Sequence, residues 1–348
     1  MLIFTNKYVF KVKKNSILSL SLLLMLSCTG QADGNKGADS KLKAQTAVKE
    51  DRLQTASVNQ SVHEVPVDSM DMKNPFVMYD AALNTYYMTG DGGLMWTSND
   101  MRVWKGPYNM IEPGKDAWMG AEPTVLSPEI YCRDDKYCLM ASFGYNDGGK
   151  EVQQCAVLVA DNIAGPYRLP EKSEPLTAPD EYAAHPAYAP DGNGNTCMMY
   201  TAGSSGNEIR IMMLADGQNT RMGEPFGIMD VSRLPWKGGA VESPEFLVTA
   251  EGGYAMLFAS TVGGESVIAV AYSAMELGHP LNGPWIVEER PFAAGNIGGV
   301  STFVDYDGTD VLVAHKEITV NGRKRYVPQF LKIDTQFEKL VNKGSYNF

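Results

Sequence analysis

Asn74-Pro75-Phe76-Val77, Ser127-Pro128-Glu129-Ile130, His185-Pro186-Ala187-Tyr188 and Ser243-Pro244-Glu245-Phe246 each open an apolar run, and Ser301-Thr302-Phe303-Val304 opens a fifth without the proline. The first residues of these openings stand 53, 58, 58 and 58 positions apart. Each opening leads through a turn signal into a second apolar strand, as in Asp80 to Asn84 before Tyr86-Tyr87-Met88 and Asp191 to Asn195 before Met198-Met199-Tyr200. A second marker keeps the same period: Gly106-Pro107-Tyr108, Gly165-Pro166-Tyr167, the degenerate Gly223-Glu224-Pro225-Phe226 and Gly283-Pro284-Trp285 begin 59, 58 and 60 residues apart. Self-similarity of this length, with two hairpins of short strands per copy, is the sequence form of a propeller blade. Five copies fill residues 62–348, and the fold class expected is all-β, a five-bladed β-propeller.

In such a ring the innermost strand of every blade runs along the central axis, so residues at equivalent inner-strand starts converge in one funnel. The register therefore brings together Asn74, Ser127, His185, Ser243 and Ser301, with Glu242, Gly298 and Gly299 beside them. No Arg or Lys falls on the register, which argues against the cationic pocket that phosphate chemistry needs.

The first 27 residues read as an export signal. Lys7, Lys11, Lys13 and Lys14 precede the apolar run Ile17 to Leu26, which is too short to span a bilayer, and Ser27-Cys28 follows. Met25-Leu26-Ser27-Cys28 resembles a bacterial lipobox, which implies lipidation of Cys28 and attachment to the cell envelope, with a plain secretory signal as the alternative. Residues 28–61, rich in Gly, Ala, Ser, Gln and Lys, read as a flexible tether because they offer little apolar surface to bury. The net charge is -11, and the leader carries four lysines and no acid, so the remainder is more acidic still. That excludes nucleic acid as a natural partner and limits membrane contact to the anchor. Neutral sugars remain compatible.

Cys132 and Cys138 flank a hairpin turn and could pair across it in an oxidising compartment; the alternative is buried thiols for them and for Cys155 and Cys197. No Cys or His pair has zinc spacing, so no metal ligand is assigned. The 19 methionines fall mostly on strand positions and read as core.

Beyond the register, several motifs resemble glycoside hydrolase family 43 and its arabinanase-like propellers over about residues 70–340. Asn74-Pro75 with Tyr86-Tyr87-Met88 is similar to the family's Asp-Pro strand and its partner; Trp96-Thr97-Ser98-Asn99-Asp100 with Trp104 resembles the segment that follows. Ser127-Pro128-Glu129-Ile130, Ala164-Gly165-Pro166-Tyr167, Glu242-Ser243-Pro244 and the strand pair from Asp305 to His315 continue the match in order. The resemblance implies inverting hydrolysis, in which a general acid and a base stand about 6.5–9.5 Å apart. It puts Glu242 at the acid's position. It also puts Asn74 where the family has its Asp base, His185 where it has a second Asp, and Gly298-Gly299-Val300 where many relatives carry a Gly-His pair. An amide cannot take a proton at neutral pH, so His185, Asp71 or Glu122 would have to serve the water.

The catalytic candidates are thus Glu242, His185 and Asn74. Candidates for substrate contact are Asp71, Trp96, Trp118, Glu122, Trp236 and His315, the tryptophans because indole faces stack on sugars. Glu129 and Glu245 follow the strand prolines, and alternation turns them away from the pocket to brace the blades. No cofactor is expected, although the resemblance allows a structural Ca2+ on the axis. Two functions fit: an exported hydrolase of O-glycosidic bonds, with arabinosyl or xylosyl linkages as the family default, or a catalytically silent propeller that binds glycans.

Overall fold

The computed structural model describes the paired short strands Phe4–Thr5 and Tyr8–Val9 and residues 61–348 apart from 192–194, 204–205, 216–218, 250–252, 274–279 and 337. Cys28 and the tether lie outside the described residues, as does most of the leader. Among the described residues no helix is long and apolar enough to cross a membrane.

Five antiparallel sheets follow one another along the chain. Blade one is the strand series Phe76–Asp80, Thr85–Thr89, Leu94–Ser98 and Val103–Asn109, with His63–Pro66 added at the outer edge. Blade two consists of Thr124–Arg133, Lys136–Asp147 and Lys150–Ala160; blade three of Ala184–Pro190, Thr196–Ala202, Glu208–Ala215 and Thr220–Asp230. Blade four runs from Glu242–Val248 to Trp285–Val287, and blade five from Ile297–Val304 to Val341–Ser345. Each blade is one contiguous segment, so among the described residues no strand is shared where the ring closes.

Apolar residues on both faces of the central strands explain the stacking. One buried cluster fills each of the five gaps between neighbouring blades: Tyr87, Met95, Leu139 and Phe143 between blades one and two; Met140, Val157, Met198 and Tyr200 between two and three; Met199, Ile211, Met256 and Phe258 between three and four. Leu257, Ile268, Leu312 and Ile333 pack between four and five, and Met88, Trp104, Phe303 and Phe330 between five and one. The methionines are the adaptable filler of these gaps. The closing gap is reinforced by polar contacts. Tyr86 and Tyr346 both donate to Asp305, and the Ser301 hydroxyl donates to Pro75 O at 2.9 Å.

The inner strands share one distortion. Asn74, Ser127, His185 and Ser243 have φ of 51°, 48°, 48° and 50°, and Gly299 has 56°. In blades two to five this residue lies in a bulge, where the register slips between Leu126 and Glu129, Ala184 and Ala187, Glu242 and Glu245, and Gly298 and Val300. A left-handed φ costs a non-glycine residue on the order of 1–3 kcal/mol, and such strain concentrates at sites. The fifth member of the register is therefore Gly299, not Ser301. The spacing misplaced it by two residues because glycine adopts this φ freely and no proline marks it.

Cys138, Cys155 and Cys197 are buried free thiols. The hairpin register sets Cys138 opposite Tyr131 and Cys132 opposite Tyr137, so the Cys132–Cys138 disulfide does not form. Both glutamates brace blades, Glu129 Oε1 accepting the Tyr188 amide at 3.0 Å and Glu245 accepting the Thr302 hydroxyl, but only Glu245 is turned away as alternation suggests, because Glu129 also lines the narrow cavity on the axis. Burial raises both carboxyls, Glu129 well above its ordinary range with the Glu245 charge adding, and Glu245 to about 8.

Candidate active site

The five kinked residues, the four prolines that follow them in blades one to four, and Glu129 line a narrow axial cavity of about 30 Å³. At its mouth a wider cavity of about 190 Å³ is lined by Lys73, Asn74, His185, Glu242, Ser243, Ser260, Thr261, Ser266, His315, Glu317, Tyr326 and the glycines Gly298 and Gly299, together with Ala240 and Ala259. Glu242, His185 and Asn74 thus meet in one cavity, and His315 joins them. The residue before the kink also faces this space in three of the five blades: Lys73 before Asn74, Glu242 before Ser243 and Gly298 before Gly299. A cation therefore does enter the funnel: Lys73 lies one position outside the register that was read.

Glu242 begins the inner strand of blade four. Gly206, at φ +70°, makes room for it; a Cβ there would stand 2.7 Å from Glu242 Oε1. Burial raises the Glu242 carboxyl above the usual range, and the Lys73 charge opposes that rise. Tyr182, 41% exposed, is close enough for the Glu242 charge to add to burial in raising its hydroxyl.

Both histidines in the cavity are held neutral. Burial pushes His185 down to about 4, with the Lys73 charge adding, and His315 down to about 3, with Lys73 and then His185 adding. His315 Nδ1 accepts the Asn74 amide at 3.1 Å, which leaves its proton on Nε2. Its ring meets Tyr326 edge-on at 5.1 Å. The Thr201 hydroxyl accepts the Ser243 amide at 3.0 Å and lies 3.4 Å from His185 Nδ1, which orients that imidazole.

Asn74 Nδ2 donates to Asp91 Oδ1 at 3.0 Å, and the same oxygen accepts the Ser127 amide at 2.8 Å. Burial raises the Asp91 carboxyl in spite of these bonds and of Lys73. Sequence reasoning missed Asp91. Its signal was an acid set among glycines in Gly90-Asp91-Gly92-Gly93, at the exit of a blade-one strand.

Other candidates lie elsewhere. Asp71 Oδ1 accepts the Tyr326 amide at 2.8 Å and so pins blade one to blade five outside the cavity lining. Trp96 packs edge-on against His63 at 5.5 Å, and Trp118 packs edge-on against Tyr145 at 5.3 Å. Glu122 is exposed and lines neither cavity. Trp236 stands behind the wall, its Nε1 donating to Ser260 Oγ at 3.4 Å. Among the described residues no group of three or more His, Cys, Asp or Glu gathers to hold a metal ion.

A five-bladed ring with a half-buried glutamic acid at the mouth of its axial funnel defines an arabinanase-like propeller. The model of Glycosyl hydrolases family 43 matches residues 63–328, and the chain belongs to that family. Similar solved structures include an endo-arabinase from Bacteroides thetaiotaomicron (TM-score 0.64, 21% identity, covering 82% of this chain and 100% of that one). An endo-1,4-beta-xylanase from the same organism gives TM-score 0.64 at 17% identity, covering 82% of this chain and 97% of that one. The alpha-L-arabinanase of Cellvibrio cellulosa, solved with arabinohexaose, gives 0.56 at 17% identity, covering 79% and 96%. No curated protein sequence matches the chain.

Proposed function

We propose that the protein is an exported, lipid-anchored glycoside hydrolase that cleaves O-glycosidic bonds in a plant or microbial glycan. Glu242 protonates the leaving oxygen. His185 takes the proton of the attacking water, while Asn74, His315 and the hydroxyls of Ser243 and Ser260 hold the sugar. The carrying observation is that a carboxyl raised by burial and an imidazole kept unprotonated down to about pH 4 line the same cavity. Opposite shifts of this kind divide acid and base roles between two groups at neutral pH. The names of the similar structures, arabinanases and a xylanase, support pentosyl-containing glycans as the substrate class. The leader with Cys28 supports export and anchoring.

Product release from a panel of polysaccharides and aryl glycosides tests this reading, with Glu242→Gln as the control. Release that vanishes in the variant supports it, and release unchanged in the variant removes Glu242 from the acid's role. A second reading, a glycan-binding propeller without turnover, is favoured by the amide at Asn74. It expects oligosaccharide binding with no product from either protein.

A further inference from the structure

Among the described residues Lys73 is the one cationic side chain in the wider cavity's lining. Among the described residues no carboxylate lies within ion-pair distance of its ammonium; the contact it makes is with the face of Tyr326, 5.6 Å from the ring centroid. Glu317, the other acid of this lining besides Glu242, is already paired with Lys324 at 2.8 Å. The two histidines are neutral at physiological pH. With Glu242 protonated, the charges left in the lining are Lys73 and Glu317, and since Glu317 is paired with Lys324, the Lys73 ammonium is the one charge of the lining without an ion-pair partner among the described residues.

An ammonium with three donors, no anion beside it and hydroxyls across the cavity at Ser260, Thr261 and Ser266 is the complement of an anionic group on a polar ligand. The volume, about 190 Å³, is below the roughly 300–1,000 Å³ of sites for drug-sized ligands, so one sugar ring is the natural scale. We infer that Lys73 is a specificity-determining residue that pairs with the carboxylate of a uronosyl group, so that the glycan recognised here carries an acidic sugar. This rests on the reading of the cavity as the sugar site. Such a ligand would also offset the Lys73 charge that lowers the Glu242 carboxyl, and so favour its protonated form.

The test compares binding of D-galacturonate with D-galactose, and of D-glucuronate with D-glucose, to the whole chain by calorimetry, for the native protein, Lys73→Gln and Lys73→Arg. The expected result is a preference of about tenfold or more for each uronate, since a charge-assisted hydrogen bond contributes about 1.5–3 kcal/mol. The preference falls away in Lys73→Gln, returns in part in Lys73→Arg, and weakens in high salt. Equal binding of uronate and aldose, a preference that survives Lys73→Gln, or no binding of either sugar overturns the inference. Hydrolysis of neutral aryl pentosides by the same native protein is measured alongside. Pentoside cleavage without a uronate preference overturns the inference and leaves the hydrolase reading standing; a uronate preference without cleavage of any glycoside does the reverse.

Discussion

Asn74 gives its side-chain amide hydrogen to Asp91 at 3.0 Å, so the residue at the expected base position is backed by a carboxylate that does not itself line the cavity. The arrangement resembles a base and its orienting partner with the chemistry of the two exchanged. It suggests how the site would respond to restoration of the acid.

Asn74→Asp places a second carboxyl against Asp91, and two such groups this close share a proton rather than both ionise. Asn74→Asp combined with Asp91→Asn reverses the direction of the hydrogen bond between these positions, at the expense of the bond that Asp91 Oδ1 accepts from the Ser127 amide, and leaves one ionised carboxylate in the cavity. The double variant is expected to raise kcat on aryl glycosides by about 100-fold, the scale of a positioned general base, and the single variant by much less. The comparison is read from kcat against pH. Equal gains would mean that Asp91 has no influence on the new group.

Glu242→Gln is expected to lower kcat by about 10²–10⁴-fold with KM little changed. A general acid works only while protonated, so kcat/KM of the native protein falls as pH rises through the Glu242 pKa, which burial places above its ordinary value. Lys73→Gln removes a charge that opposes that rise, and the alkaline limb should move to higher pH. A limb that stays in place would mean that another group sets it.

Glu245 is raised to about 8 by burial, so between its ordinary value near 4.5 and that pH the folded protein holds a proton that the unfolded chain has released. Its contribution is therefore present at low pH and lost as pH rises through 8. Glu245→Gln keeps a carbonyl oxygen for the Thr302 hydroxyl and removes the titration. The urea midpoint of this variant at pH 9 should exceed that of the native protein, while at pH 5 the two should be close.

The histidines act at the other end of the scale. His185 and His315 are neutral in the fold down to about 4 and about 3, whereas in the unfolded chain they charge near 6.5. The unfolded state binds more protons across that window, so these groups destabilise the fold as pH falls below 6.5. His185→Asn should flatten the slope of the denaturation midpoint between pH 6.5 and 4. An unchanged slope would place the imidazole in contact with water.

The propeller was legible because its signal is one of spacing. A proline after a kinked residue and a Gly-Pro-aromatic turn recur once per blade, and both are fixed by backbone geometry. The register failed at its fifth member for a related reason, since Gly299 needs no proline to announce its φ. Glu242, His185 and Asn74 share the cavity because the register counts along the axis. Lys73 flanks the blade-one kink one position outside the register, so the period alone does not mark it. Asp91 and the Asn74–His315 bond, which joins positions 241 apart, depend on which side chains meet across the ring, and no local pattern encodes them. The tryptophans drew attention by type alone, and for Trp96 and Trp118 packing took them.

Among the described residues no strand crosses the join between the first blade and the last. The join is held by Asp71 on the Tyr326 amide, by Met72 N on Tyr326 O at 2.7 Å, by Arg325 on Ser69 O at 2.7 Å and by the Asn74 amide on His315. Lys73 and Asn74 stand on one side of it, His315 and Tyr326 on the other. The cavity is therefore assembled by the same contacts that latch the ring, and a molecule sprung open at this latch would keep most of each blade while losing its binding site. Whatever occupies the cavity acts as a clasp, and occupancy and ring closure stabilise each other by mass action.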